Sequence, residues 1–203
     1  MKRASDSTDS DFTVTNPTAL VDLQAYWHSL APEGRIPRRS DLDPACLGEL
    51  IEDAMIVERV APGVARMRVA GQRIAALVGA EPRGMPLSVL FEAADRGRLA
   101  TQVEIAFKMP SIVELPLEGV RGLGRPALSA RLLLLPMRDE FDRVSRCLGA
   151  MVADGRVGRV PRQFKLCAED RIRHEPLHLD PPETARAPFE KGRTALRLVV
   201  DNA

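Results

Sequence analysis

Apolar residues recur at spacings of three and four near the start of the chain, at Leu20, Leu23, Trp27 and Leu30. This spacing places the four side chains on one stripe of an amphipathic α-helix. The helix can begin at Asn16-Pro17 or at Thr18, because Asn caps helices well and Pro suits the first helical turn. The apolar stripe has to be covered, either by the rest of the fold or by a second copy of the chain.

Further along, apolar and polar residues alternate with a period of two, which is typical of strands with one solvated face. Two such runs, over 54–60 and 64–69, flank the turn residues Pro62 and Gly63, which predicts a hairpin. Short helices are predicted over 45–51, capped by Asp43, and over 71–77. A longer helix is predicted over 92–109, where Pro110 ends it. Three more strands are predicted over 112–117, 127–135 and 146–152.

This order of elements predicts an α+β fold with a five-stranded antiparallel sheet, helices on one face and an N-terminal helix in front. Residues 1–17, rich in Ser, Thr and Asp, are expected to form a disordered tail. The folded domain is predicted over 18–153. Prolines interrupt every pattern beyond it, so 154–203 is predicted to be an irregular C-terminal arm, with one strand over 195–200.

Composition and charge narrow the classes of function. The chain has 203 residues, 45% of them hydrophobic, which is enough for an ordinary core. With 29 basic and 28 acidic residues, the net charge of +1 gives no argument for nucleic acid or an anionic membrane as a partner. We find no bilayer-spanning apolar run and no secretory signal. The three cysteines are far apart and form no CxxC pair, which favours a reducing cytoplasm.

Four segments carry a family resemblance: Tyr26-Trp27, Gly34-Arg35-Ile36-Pro37-Arg38-Arg39-Ser40-Asp41-Leu42-Asp43-Pro44, Arg66-Met67-Arg68-Val69-Ala70-Gly71 with Gly79 soon after, and the run from Leu87 to Phe91. Over about 20–152 the chain resembles alphaproteobacterial proteins made mostly of one PAS domain. The resemblance implies a PAS fold and a sensory or regulatory protein in signal transduction, without catalysis of its own. It also implies a signalling protein as partner.

Flanking helices commonly mediate dimers in PAS domains. The resemblance therefore predicts a homodimer with contacts at Leu20, Leu23, Trp27 and Leu30.

PAS folds that bind a ligand hold it between the long helix and the inner face of the sheet. The apolar residues that could line such a pocket here are Val103, Phe107, Ile112, Leu132, Leu134 and Leu148. A pocket of this kind would suit a small apolar ligand, so a ligand-binding sensor is the alternative function. We expect a filled core instead.

Cofactor chemistry is not indicated. Of the three histidines, His28, His174 and His178, none lies in the long central helix, where a haem-binding PAS domain would be expected to supply its ligand. Cys46 and Cys147 do not lie just before that helix, as the reactive cysteine of a flavin-adduct sensor does. We therefore expect no metal and no cofactor.

Catalytic motifs are missing as well. The sequence has no nucleophile elbow and no phosphate-binding loop of the GxxxxGK[ST] type. The Gly-rich segment 119–124 joins two predicted strands and precedes no helix, so it is expected to be a hairpin loop. Arg125 and Arg131 follow it and are assigned by alternation to a solvated strand face. We expect no catalytic residue; a small enzyme with an unrecognised carboxylate site is the remaining alternative.

Overall fold

The computed structural model describes residues 18–31 and 35–177, and their seven strands form a single antiparallel sheet. The strand order is β2-β1-β5-β4-β3-β6, and β7 also pairs with β3. The strands are β1 (Ala54–Ala61), β2 (Val64–Ala70), β3 (Ser111–Gly119), β4 (Leu128–Arg138), β5 (Val144–Gly155), β6 (Phe164–Leu166) and β7 (Arg173–Pro176). Strands β1 to β5 confirm the predicted five-stranded α+β arrangement.

Three α-helices accompany the sheet: α1 (Ala19–Leu30), α2 (Gln72–Val78) and α3 (Arg96–Lys108). Helix α3 begins later than predicted because Ala93–Asp95 form a separate 3-10 turn. Helix α2 ends at Gly79, whose φ of 74° is the left-handed conformation that glycine adopts easily. The predicted short helix is a 3-10 segment, Pro44–Glu52, with the Asp43 carboxylate accepting the Ala45 N–H at 2.9 Å. No helix of the described residues is long and apolar enough to cross a membrane.

Two apolar layers lie on opposite faces of the sheet. The inner face carries side chains such as Val113 and Leu134, and α2 and α3 pack against it. The outer face carries Ile112 and Leu133, and α1 covers part of it. Central strands are therefore buried on both faces, and β4 contains an uninterrupted apolar run over 132–135.

The C-terminal part of the fold differs from the prediction that 154–203 form an irregular arm. Strand β5 continues to Gly155, and β6 and β7 both pair with β3 at the edge of the sheet. Arg162 and Phe164 are fully buried. Strands of three and four residues are too short to display a period of two. The prolines of this segment therefore led to the prediction of irregular structure. The predicted tail over 1–17 and the predicted strand over 195–200 lie outside the described residues.

Candidate functional site

The residues predicted to line a pocket lie on both faces of the sheet. Four of them pack in one buried cluster between α3 and the inner face: Val103, Phe107, Leu132 and Leu134. Ile112 and Leu148 belong to the apolar cluster of the outer face. Successive side chains of a strand point to opposite faces, so Val113 and Cys147 occupy the inward positions. The six residues do not line one cavity.

The inner face is packed with large apolar side chains. Leu90, Phe91 and Phe164 are fully buried there, beside the four predicted residues. Two concave surfaces of the described chain, one lined by Arg131 and one lined by Arg125, include none of the six predicted pocket residues. An apolar ligand would have to displace side chains of this packed layer.

The apolar stripe of α1 is covered by the chain's own sheet. Leu20, Leu23 and Trp27 are buried against the outer face, and Leu30 is half-buried beside them. The Trp27 indole also donates a hydrogen bond to the carbonyl oxygen of Pro136, with Nε1 and O 2.9 Å apart. The stripe is therefore covered by the rest of the fold, which is one of the two possibilities that the sequence allows, and not by a second copy of the chain. The stripe predicted to contact a second copy is therefore not exposed in the folded chain.

Helix α1 leaves part of the outer face uncovered, and a groove of about 330 Å³ lies there. We call it the outer groove. Its walls carry charges of both signs and its floor is partly apolar. It is lined by Pro116, Leu117, Glu118, Ser129, Ala130, Arg131, Val152, Asp154, Cys167 and Arg171. Such a surface offers both ion pairing and apolar contact to a partner.

Ion pairs connect the outer groove to the strands around it. Arg131 Nη1 lies 3.3 Å from Glu114 Oε1, and Arg173 Nη1 lies 3.8 Å from Glu114 Oε2. Glu114 therefore links β4 to β7. Burial, assisted by the negative charge of Glu118, raises the pKa of the Cys167 thiol. This thiol is a poor nucleophile at neutral pH, so the groove is suited to recognition rather than to thiolate chemistry.

Strand β7 contacts a helix on each face of the sheet. On the outer side, Gln24 of α1 donates from Nε2 to Glu175 Oε2 at 3.4 Å and accepts at Oε1 from Arg173 Nη2 at 3.3 Å. On the inner side, His174 Nε2 lies 2.6 Å from Oε1 of the buried Gln102 of α3. Alternation along the strand separates these contacts.

Two carboxylates contact the ends of hairpins: the buried Asp139 lies in the β4–β5 connection, and the half-buried Glu104 of α3 contacts the β1–β2 hairpin. Burial alone would raise the pKa of Asp139, but hydrogen bonds from the N–H groups of Arg143 and Phe141 and from the side chains of Ser145 and Arg143 lower it to about 2. Glu104 accepts from Arg59 Nε at 2.9 Å and Gly63 N at 2.7 Å, which lowers its pKa to about 2. Both groups stay ionised near neutral pH and are poorly suited to proton transfer.

Asp53 differs from these carboxylates because burial raises its pKa, although Arg73 Nη1 lies 2.6 Å from its Oδ2. One of its oxygens, Oδ1, has no hydrogen-bond partner. Asp53 is buried beside the start of β1 and lines neither concave surface. The ion pair ties β1 to α2.

Metal-ligating residues are dispersed through the described chain. His28 is exposed on α1, His174 lies on β7, and His178 is outside the described residues. Cys46 is exposed, whereas Cys147 is buried in the inner layer, where burial raises its pKa. Across residues 18–31 and 35–177, no three His, Cys, Asp or Glu side chains lie close enough together to hold a metal ion.

The outer groove was not predicted as a site. One signal for it was available, because Arg131 was assigned to a solvated strand face by alternation, and Glu118 and Ser129 follow the same parity across the pairing of β3 with β4. Cys167 and Arg171 carried no such signal, since they approach the groove only after the C-terminal segment has folded back onto the sheet.

A family model described as PAS domain matches residues 15–152, more than half of the chain. The match covers the region of α1 to α3 and most of β1 to β5, and it ends before β6 and β7. No curated protein matches the chain.

Proposed function

Since this chain belongs to the PAS-domain family, whose domain is associated with sensing and signalling, we propose that it is a non-enzymatic regulatory protein. It acts in signal transduction through contacts with other proteins. The outer groove is the observation that carries the proposal. Its guanidinium and carboxylate groups suit a protein partner with charges of both signs, because such complementarity gives specificity at protein interfaces.

The packing of the inner face supports an adaptor in preference to a sensor of apolar ligands. The place where a PAS fold would hold a ligand is filled by Val103, Phe107, Leu132 and Leu134. The described cysteines are free thiols, which is consistent with a site of action in the reducing cytoplasm.

Site-specific cross-linking tests the contact surface. A photoreactive amino acid is placed at Arg131, in the outer groove, and in a second protein at Arg83, an exposed position outside it. We expect the Arg131 position, and not the Arg83 position, to capture a discrete cellular protein. The purified partner should then bind Arg131→Glu at least about tenfold more weakly than Arg83→Glu, the loss expected for a charge-assisted contact. Equal capture at both positions would contradict the proposal.

Native mass spectrometry tests the choice between adaptor and sensor. We expect the protein purified from its own cytoplasm to carry no apolar small molecule, because the inner face is filled. An apolar molecule bound at one equivalent would favour the ligand-binding sensor instead.

A homodimer through the N-terminal helix remains part of the proposal, with a changed contact residue. The face of α1 that the sheet leaves open carries Val21, which is 65% exposed. Sedimentation of the wild type is expected to give the mass of a dimer, and Val21→Asp is expected to give that of a monomer. A monomeric wild type would exclude this contact.

A further inference from the structure

Two loops meet at one end of the sheet. The β3–β4 connection, over 120–127, is held to the segment 156–163 by backbone hydrogen bonds from Arg159 N to Gly124 O at 2.6 Å and from Val120 N to Gln163 O at 2.8 Å. Between the loops lies a concavity of about 380 Å³, which we call the loop concavity. It is lined by Gly122, Gly124, Arg125, Pro126, Arg156 and Gly158.

Glycine allows the two loops to come this close. Gly158 has a φ of +63°, and a Cβ atom there would lie 2.5 Å from the carbonyl oxygen of Gly124. Gly122 differs, because a Cβ atom there would meet nothing within 4 Å. The space next to Gly122 is therefore open to a ligand.

Arg125 gives the loop concavity a positively charged wall, and none of the described residues that line it is a carboxylate. Glu118 and Asp154, the acidic residues nearest to the two loops in sequence, line the outer groove instead. Arg121 and Arg159 are exposed on the same two loops. This local arrangement favours a negatively charged ligand although the whole chain is nearly neutral.

A third arginine lies directly behind the wall of the concavity. Arg162 is fully buried, and it donates from Nη2 to the carbonyl oxygen of Pro126 at 3.0 Å and from Nη1 to that of Val157. Within the described chain no carboxylate pairs with Arg162 or Arg125, and the Nε atom of each is buried without a hydrogen-bond partner. Burial, together with the positive charge of Arg125, lowers the pKa of Arg162.

A buried guanidinium without a counter-charge is costly, and an anion bound beside it reduces that cost. Phosphate is the favoured anion, because guanidinium groups bind its oxygens through paired, charge-assisted hydrogen bonds. The concavity is within the size range of small-molecule sites. None of the described residues that line it is aromatic, so none of their side chains would stack on a base.

We infer that the loop concavity binds a small phosphorylated molecule through its phosphate group, with Arg125 as the contacting cation. This goes beyond the protein contacts proposed for the outer groove. It assigns a ligand to a part of the fold that lies away from the inner face.

Calorimetric titration of the full-length protein with inorganic pyrophosphate, in phosphate-free buffer, tests the inference. We expect saturable binding at one site. Gly122→Asp places a carboxylate in the open space beside Arg125 and should weaken binding at least about tenfold, the loss of one charge-assisted contact. Gly122→Ala, which adds only a methyl group, should stay within about twofold of the wild type, well under the tenfold change that 1.4 kcal/mol represents.

A second pair of variants keeps the test decisive if Gly122→Asp does not fold. Arg125→Gln removes one cation from the concavity, and Arg83→Gln removes an exposed arginine elsewhere. We expect at least about tenfold weaker binding for the first and no change for the second. Absence of saturable binding by the wild type, or equal weakening by both substitutions, would overturn the inference.

Discussion

Trp27 shows how one side chain fixes the position of a helix. It is 1% exposed and contributes both apolar area and the hydrogen bond to Pro136. We expect Trp27→Ala to lower the free energy of unfolding by about 3–5 kcal/mol, the usual cost of truncating a buried aromatic residue. Trp27→Phe keeps most of the apolar area and should cost about 1–2 kcal/mol.

Urea denaturation followed by circular dichroism measures both changes, with Arg83→Ala as the control at an exposed position. The control should stay within about 0.5 kcal/mol of the wild type, because it alters no buried contact. Equal effects of Trp27→Ala and Arg83→Ala would show that α1 does not pack on the sheet as described.

Asp139 and Glu104 make stability depend on acid pH. Their pKa values of about 2 lie below the ordinary values of 3.8 and 4.5. A carboxylate with a lowered pKa stabilises the fold above its ordinary pKa, and this contribution is lost as the pH falls through the folded value. Stability should therefore fall between about pH 4.5 and pH 2.

Thermal denaturation across this pH range, with Asp139→Asn as the test variant, measures the effect. The variant should be less stable than the wild type at pH 7 and should lose less stability on acidification. Parallel pH profiles for the two proteins would contradict the role assigned to Asp139.

At the residue scale, the sequence predicted which side chains are buried better than it predicted the face of the sheet on which they lie. All six pocket candidates are buried, yet Ile112 and Leu148 face the outer layer. In a strand buried on both faces, composition does not reveal which parity points inward. The register of β3 and β5 against their neighbours decides it, and that register depends on the whole sheet.

At the scale of elements, β6 closes the layer between α3 and the sheet. Phe164 is fully buried, and its carbonyl oxygen accepts the N–H of Glu92 at 3.0 Å. A chain that ends at Val152 would lose this side chain and leave the edge of β3 unpaired along its length. We expect such a chain to aggregate, because an open strand edge is a template for pairing between molecules.

Gel filtration and the binding of a hydrophobic dye measure this outcome, with a chain ending at Leu177 as the control because it retains β6 and β7. Recovery of a compact, non-aggregating protein from the shorter chain would show that the C-terminal strands are dispensable.

The long elements could be predicted from the sequence and the short ones could not. Strands β1 and β2 are bounded by clear turn residues and alternate on their exposed part, so their limits were predicted to within a residue. Strands β6 and β7 gain their stability from the edge of β3 rather than from their own sequence pattern. The outer groove shares this dependence, because Cys167 and Arg171 reach it only through that pairing.

On the scale of the whole molecule, the net charge of +1 does not show how the charged residues are grouped on the surface. The outer groove is lined by Glu118 and Asp154 together with two arginines, whereas the charged residues that line the loop concavity within the described chain are arginines. A count over the chain could not predict this, because the fold decides which charges become neighbours.

The contacts of β7 predict that substitutions on opposite faces of the sheet are coupled. Gln24→Ala removes its outer contacts and Gln102→Ala its inner contact. We expect the double substitution to depart from the sum of the single ones by at least about 0.5 kcal/mol in the free energy of unfolding. The matched pair Gln24→Ala with Gln72→Ala, an exposed residue of α2, should be additive within about 0.5 kcal/mol. Additivity in both pairs would show that β7 does not couple its contacts with α1 to its contact with α3.

Strand β7 is expected to link the energetics of α1 to those of α3. A strand bonded to α1 on one side and to α3 on the other gives the two helices a shared coupling free energy, and coupling of this kind is reciprocal. A partner that binds and displaces α1 must change the stability of the α3 packing by the same amount as a shift of α3 changes the affinity for that partner. We therefore expect the four residues of β7 to couple the energetics of the two apolar layers.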